Sequence, residues 1–123
     1  MRESSPKLHK LYRPVGQKEL DLIIASGWRE FPARLSHQPI FYPVENYPYA
    51  AQIARDWNTK DPNSGFVGYV TCFEMDAKFL SKYPIQKVGN EIALEYWIPA
   101  EELSEFNRQI IGLIRVLAEF RPI

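Results

Sequence analysis

The sequence has one cysteine, two histidines, no excess of either charge and no long apolar run. A single Cys72 excludes an internal disulfide, and with only His9 and His37 beside it a zinc site of the usual kind is not expected. Fifteen basic and fifteen acidic side chains cancel, so the chain lacks the positive field on which general nucleic-acid binding depends. No segment approaches the roughly 18 apolar residues of a membrane span, and the N-terminal MRESSPKLHK has no apolar signal core. We therefore expect a cytoplasmic protein without nucleic acid or membrane as a general partner.

The common nucleotide-binding and catalytic strings are also missing. The patterns G-x-G-x-x-G, G-x-x-x-x-G-K and H-E-x-x-H do not occur, and no G-x-S-x-G elbow supports a serine nucleophile. Aromatic residues and proline are plentiful instead, with seven Tyr, seven Phe, three Trp and ten Pro. Aromatic rings supply buried area or stacking surfaces, and proline divides a chain into short elements.

A length of 123 residues indicates one domain, which we expect at 8–123 after a flexible tail at 1–7. The helical spacing of apolar residues predicts two main helices, at 17–26 and 46–57. Asn46 is a suitable N-cap for the second helix, whose inner face is predicted to carry Tyr49, Ile53 and Trp57, with Ala50 and Ala54 beside them.

Strands are predicted where apolar residues alternate or run continuously between loop residues. The predicted strands are 8–13, ended by Pro14; 40–44; 66–74, apolar on both faces; 91–98; and a last one over 114–118, after an interruption at Gly112. Short helices are predicted at 76–82 and from Pro99, and 28–38 has no period. This order predicts an α+β fold with a small mixed sheet, two main helices and one shorter late helix. We expect 66–74 and 91–98 to be neighbouring strands.

Five segments together resemble the ADP-ribosyltransferase-like fold: LYRPV, a helix ending in SG, IFYPVENYPYAAQIARDW, FVGYVTCFEMD and LEYWIPAEEL. In that superfamily a first strand carries Leu-Tyr followed by Arg or His, and a second strand leads directly into an Ala-rich helix. A later strand supplies a glutamate just before an apolar-Pro turn. The resemblance spans Leu11 to Leu103. The chain is also similar to a family of short bacterial proteins described by the words ADP-ribosylation and crystallin J1.

The resemblance implies that NAD is bound and that its ADP-ribose is transferred to a protein or nucleobase, or that NAD is cleaved. It places Arg13, with Tyr12 beside it, at the first-strand position that contacts the NAD ribose or phosphates. Tyr42 takes the second-strand position that flanks the nicotinamide, and Glu95 takes that of the catalytic glutamate. The irregular segment 28–38 contains two Arg and a His and is expected to line the same cleft, with His37 as a minor candidate for the site.

The residue types suit this chemistry. A carboxylate beside the ribose stabilises the oxocarbenium-like state formed as the nicotinamide bond breaks, and an arginine fork suits a diphosphate. The same residues also have structural interpretations, with Arg13 as an ion-pair partner, Tyr42 as a packing residue and Glu95 as a solvated strand residue. The second strand reads Phe41-Tyr42-Pro43 where the Arg version of the superfamily has Ser-Thr-Ser. A non-enzymatic binding module of the same fold is therefore an alternative. An immunity or toxin-neutralising protein, which the small size and neutral charge would suit, is another.

Overall fold

The structure is a computed structural model, and it describes residues 7–123. The strands of the described chain are β1 (Leu8–Val15), β2 (Ile40–Phe41), β3 (Gly68–Asp76), β4 (Ile85–Lys87), β5 (Leu94–Tyr96), β6 (Ile98–Pro99) and β7 (Ile110–Phe120). The α-helices are α1 (Gln17–Ala25), α2 (Tyr47–Asp56), α3 (Ala77–Leu80) and α4 (Leu103–Arg108). The predicted tail at 1–7 lies outside the described residues apart from Lys7, whose carbonyl accepts a hydrogen bond from Ala77 N.

A three-stranded antiparallel sheet in the order β1-β3-β7 forms the centre. Two smaller antiparallel pairs, β2 with β6 and β4 with β5, lie beside it. Val44 joins these parts, because it forms one bridge with Tyr12 of β1 and another with Glu95 of β5. The bridges bring β1, the stretch after β2, and β5 side by side.

The α+β class is confirmed, but two details of the predicted sheet are wrong. Every strand ladder among residues 7–123 is antiparallel, so the sheet is not mixed. The strand at 66–74 is also not a neighbour of the one at 91–98. Because β1 and β7 pair with both edges of β3, no edge is free for β5, which pairs with β4 instead.

The two main helices lie where their spacing predicts them, but α2 packs through the small residues of its predicted inner face and not through the large ones. Asn46 Oδ1 accepts from Tyr49 N at 2.9 Å, which confirms the cap. The buried residues of α2 are its small ones, including Ala50 and Ala54, while Trp57 is exposed. Only small residues of α2 are buried because the helix lies very close to β3, where a Cβ on Gly68 would come within 2.7 Å of the Cα of Ala54. The helix and strand backbones therefore approach too closely for large side chains between them.

Several predicted boundaries also differ. The strand predicted at 91–98 is two short strands, β5 and β6, and the one predicted at 40–44 is a strand only at Ile40–Phe41. Strand β1 continues through Pro14 to Val15, because its outer side pairs only at Tyr12 among the described residues, and no donor is needed at the proline. Strand β7 runs through Gly112, whose φ of +80° accompanies a register shift against β3. Pro99 belongs to β6 and pairs with Ile40, so the last helix begins later, after a 3-10 turn.

Much of the aromatic content is used in the core. Four fully buried rings form a closed cycle, with centroids 4.9 Å apart for Phe31 and Phe73, 5.1 Å for Phe31 and Phe41, and 5.6 and 6.0 Å from Phe106 to Phe41 and Phe73. Cys72 is fully buried in β3, as expected of a small apolar residue. In the described part of the chain, no helix is both long enough and apolar enough to cross a membrane.

Candidate functional site

Strands β1 and β5, with the stretch around Val44 that bridges them, line one side of an open cleft of about 490 Å³. We call it the aromatic cleft, and its defining side chains are Arg13, Tyr42, Ile53, Trp57, Glu95 and Trp97. Three of the five residues predicted for the site, Arg13, Tyr42 and Glu95, are thus brought together from distant parts of the sequence. The volume lies within the range of about 300–1,000 Å³ that is usual for small-molecule sites.

The carboxylate of Glu95 is held by two donors. Trp97 Nε1 donates to Oε1 at 2.8 Å, and the Tyr49 hydroxyl donates to Oε2 at 3.1 Å. Burial, and then the charge and hydrogen bond of Glu95, raise the pKa of Tyr49 to about 12, so the hydroxyl keeps its proton at neutral pH. Each carboxylate oxygen can accept further hydrogen bonds, so Glu95 is oriented without being saturated.

Arg13 is 8% exposed and is already paired. Its Nε and Nη2 donate to the two oxygens of Glu19 at 2.7 and 3.0 Å, a bidentate ion pair. Its Nη1 donates to the carbonyl of Tyr42 at 3.1 Å, and its guanidinium lies 4.5 Å from the ring centre of Phe41. Arg13 thus ties β1 to α1 and to the stretch after β2, and Glu19 balances its charge locally.

The aromatic cleft has three exposed rings on its walls. Tyr42 is 40% exposed, Trp97 43% and Trp57 69%. Large aromatic side chains left this open offer flat faces for stacking and an attractive surface for a cation. The Glu95 carboxylate lies in the same cleft, so the arrangement favours a flat or positively charged group.

A second cleft, of about 640 Å³, adjoins the first. Its lining includes Lys18, Glu19, Arg34, His37, Asn58 and Asp61, and it shares Arg13, Pro14, Trp57 and Asn58 with the aromatic cleft. The predicted irregular segment 28–38 is confirmed, with no helix or strand, and it forms part of this wall. His37 is exposed here and does not line the aromatic cleft.

Arg34 differs from Arg13 in its pairing. Its Nε donates to the Ile40 carbonyl at 3.1 Å, and none of the described carboxylates forms an ion pair with it. Burial, and then the charge of Arg13, lower the pKa of Arg34. An anionic partner would therefore stabilise the charged form of this partly buried guanidinium.

Asn58 contributes an unpaired acceptor between the clefts. The residue is buried, and its Nδ2 donates to Ser64 Oγ at 2.8 Å. Its Oδ1 is shielded from solvent and accepts no hydrogen bond from the described residues. Buried acceptors left unpaired cost free energy, so a ligand or water that donates here would be stabilising.

Tyr12 lies elsewhere. Its backbone pairs with Val44, and its ring packs edge-on against Tyr47 at 6.2 Å, beside α2. It lines neither cleft. The resemblance groups it with Arg13, but adjacent strand residues point to opposite faces of a sheet.

Sequence reasoning did not assign Trp57, Tyr49, Trp97 or Arg34 to the site. The first two were placed on the inner face of the second helix because they lie at helical spacing. The Ala-rich stretch between them could have indicated the correct packing. Small residues permit close helix packing, so the helix can be buried through its alanines while the aromatic side chains stay outside the core. Trp97 follows Glu95 at a spacing of two, which on a strand means the same face.

Residues 7–123 contain no group of three or more His, Cys, Asp or Glu side chains placed to hold a metal ion. No family model, no curated protein and no solved structure matches the chain.

Proposed function

We propose that the chain binds NAD in the aromatic cleft and breaks its nicotinamide–ribose bond, passing the ADP-ribose to a protein, a nucleobase or water. The observation that carries this proposal is the meeting of Arg13, Tyr42 and Glu95 in one cleft. These are the residues that the resemblance to ADP-ribosyltransferases selects on three separate strands. The proposal therefore joins a sequence resemblance to an independent spatial grouping.

The walls of the cleft suit the nicotinamide ring. In NAD this ring is flat and positively charged, and the cleft offers exposed aromatic faces and a carboxylate. A cation over an aromatic face gains about 0.5–1 kcal/mol at an exposed site, and more when water is excluded. Tyr42 is itself the second-strand residue of the proposal, and Trp97 lies two residues after Glu95.

The chemical step needs one well-placed anion. As the bond between C1′ and the ring nitrogen breaks, the bonding electron pair leaves with nicotinamide, which becomes neutral. The ribose then carries the positive charge as an oxocarbenium, and an oxygen or nitrogen of the acceptor bonds to C1′ and loses a proton. Glu95 stabilises that charge, and its spare lone pairs accept a hydrogen bond from a ribose hydroxyl.

A binding module without catalysis is a second candidate, favoured by one observation. Both charged residues of the cleft already have partners within the chain, Arg13 with Glu19 and Glu95 with Tyr49 and Trp97. A site built this way can hold a ring and a ribose without activating a bond. Nicotinamide release separates the two candidates.

The test is nicotinamide release from NAD, measured by chromatography, with and without added acceptor proteins. Glu95→Gln keeps the shape and removes the charge, and we expect the rate to fall by about 10²–10³ with a much smaller effect on NAD binding. The matched control is Glu91→Gln, because Glu91 is exposed and pairs only with Lys87 in the described chain. Equal rates in Glu95→Gln and the parent would exclude the catalytic role. Binding without release would favour the module.

A further inference from the structure

We infer that the second cleft binds a diphosphate-bearing group and that Arg34, rather than Arg13, is the guanidinium that holds it. The inference deepens the proposed function, on which its assignment to NAD rests. As an anion site it stands on the geometry of the second cleft alone.

Arg13 is a poor choice for this task. Three of its N–H groups are donated to Glu19 and to the Tyr42 carbonyl, and the side chain is almost fully covered. A phosphate at Arg13 would have to compete with the Glu19 carboxylate for the same N–H groups. Binding there would require this ion pair to be broken or shared.

Arg34 has the geometry that a phosphate needs. Its Nε is anchored on the Ile40 carbonyl, and the guanidinium lies 6.0 Å from the ring centre of Phe41. Among the described residues, no hydrogen bond is made by its two terminal nitrogens. They form the end of a planar fork that can donate two parallel hydrogen bonds to one phosphate. The anchor at Nε holds this fork in place before any ligand arrives.

The charges around Arg34 also favour an anion. Lys18 and His37 line the same cleft and are exposed. Of the two carboxylates in the lining, Glu19 is neutralised by Arg13, and Asp61 accepts hydrogen bonds from Asn63 N and Ser64 Oγ at 2.9 and 3.1 Å. Arg13, Lys18 and Arg34 against Glu19 and Asp61 leave one net positive charge in the lining. Neither Arg34 nor Lys18 forms an ion pair among residues 7–123.

The two clefts adjoin in the order that a dinucleotide requires. Trp57 and Asn58 belong to both, so a ligand with its ring in the aromatic cleft would pass between them into the second cleft. The ring, the ribose and the diphosphate of such a ligand would lie against the exposed aromatic rings, Glu95 and Arg34 in turn.

The experiment is calorimetric titration with inorganic pyrophosphate and with ADP-ribose, at low and high salt. Arg34→Gln should weaken both ligands by about ten- to a hundredfold, as for lost hydrogen bonds to a charged group. Arg34→Lys keeps the charge but loses the fork, so it should weaken them to an intermediate degree. It also provides a folded variant should Arg34→Gln be unstable. The matched control is Arg29→Gln, an exposed arginine in the same segment that lines neither cleft.

The outcomes separate this inference from the proposed function. Pyrophosphate binding that depends on Arg34, without any binding or cleavage of NAD, would support the anion site and reject the function. NAD cleavage that is unaffected by Arg34→Gln and Arg34→Lys would reject the inference and leave the function standing. The inference is also overturned if the parent binds no pyrophosphate, or if Arg29→Gln weakens binding as much as Arg34→Gln.

Discussion

Replacing Glu19 with Gln tests the interpretation that Arg13 is a buried, internally paired cation. In the folded chain the side chains of Arg13 and Glu19 are 10% and 20% exposed, and two hydrogen bonds of 2.7 and 3.0 Å join them. Glutamine has nearly the same shape, but it carries no charge and can accept only through its single oxygen. Glu19→Gln therefore leaves the guanidinium covered without its counter-ion.

The expected cost is about 3 kcal/mol, the lower value for a buried pair that loses one member. A domain of this size has a total stability of roughly 5–15 kcal/mol, so the loss is a substantial part of it. With the usual unfolding entropy per residue, the melting temperature should fall by about 10 °C.

Urea unfolding followed by tryptophan fluorescence measures the change directly. The control is Asp21→Asn, which removes a carboxylate from the same helix. In the described chain this carboxylate accepts only one solvent-exposed hydrogen bond, from Gln17, so its loss should change stability by less than about 0.5 kcal/mol. The double variant Arg13→Met, Glu19→Met should recover most of the loss, because no lone charge remains buried. A cost for Glu19→Gln no larger than that of Asp21→Asn would refute the reasoning.

Two further predictions concern α2. Gly68→Ala should destabilise the fold by more than about 2 kcal/mol in thermal unfolding, because its Cβ would overlap the backbone of Ala54. The control is Gly89→Ala, whose Cβ meets nothing nearer than 3.4 Å and which should be tolerated. Equal destabilisation by the two variants would contradict the close approach of α2 and β3. The pKa of Tyr49, raised from 10.0 to about 12, gives stability that is complete below pH 10 and is lost as pH rises through 12. Tyr49→Phe should lose less stability than the parent between pH 10 and pH 12, and an equal loss in both would contradict the raised pKa of Tyr49.

Local signals predicted the elements that local interactions determine. The start of α2 followed from Asn46, whose side chain caps the helix by accepting from the backbone of Tyr49, three positions away. The burial of Cys72 followed from a strand apolar on both faces. The cap depends on a contact within a few residues, and the burial of Cys72 follows from the apolar residues on both sides of it in the strand. Neither prediction needed knowledge of the tertiary structure.

Features that depend on distant residues could not be predicted in this way. The packing face of α2 is decided by Gly68, which lies on a later strand and lets only small residues approach. The position of β5 depends on Val44, whose two bridges lie outside the regular strands. Sequence also could not show that Arg13 forms an ion pair in the described chain whereas Arg34 does not, since the difference is the tertiary contact with Glu19.

The central claim, that the aromatic cleft binds NAD, is tested most directly by calorimetric titration of NAD into the parent and Trp57→Ala. Trp57 is 69% exposed, so its removal should not disturb folding, and the loss of one aromatic contact should weaken NAD by about tenfold. Phe66→Ala is the control, an aromatic residue 50% exposed that lines neither cleft. The account predicts saturable one-to-one binding that is weakened in Trp57→Ala and unchanged in Phe66→Ala. Absence of NAD binding to the folded parent, or binding indifferent to Trp57, would contradict it.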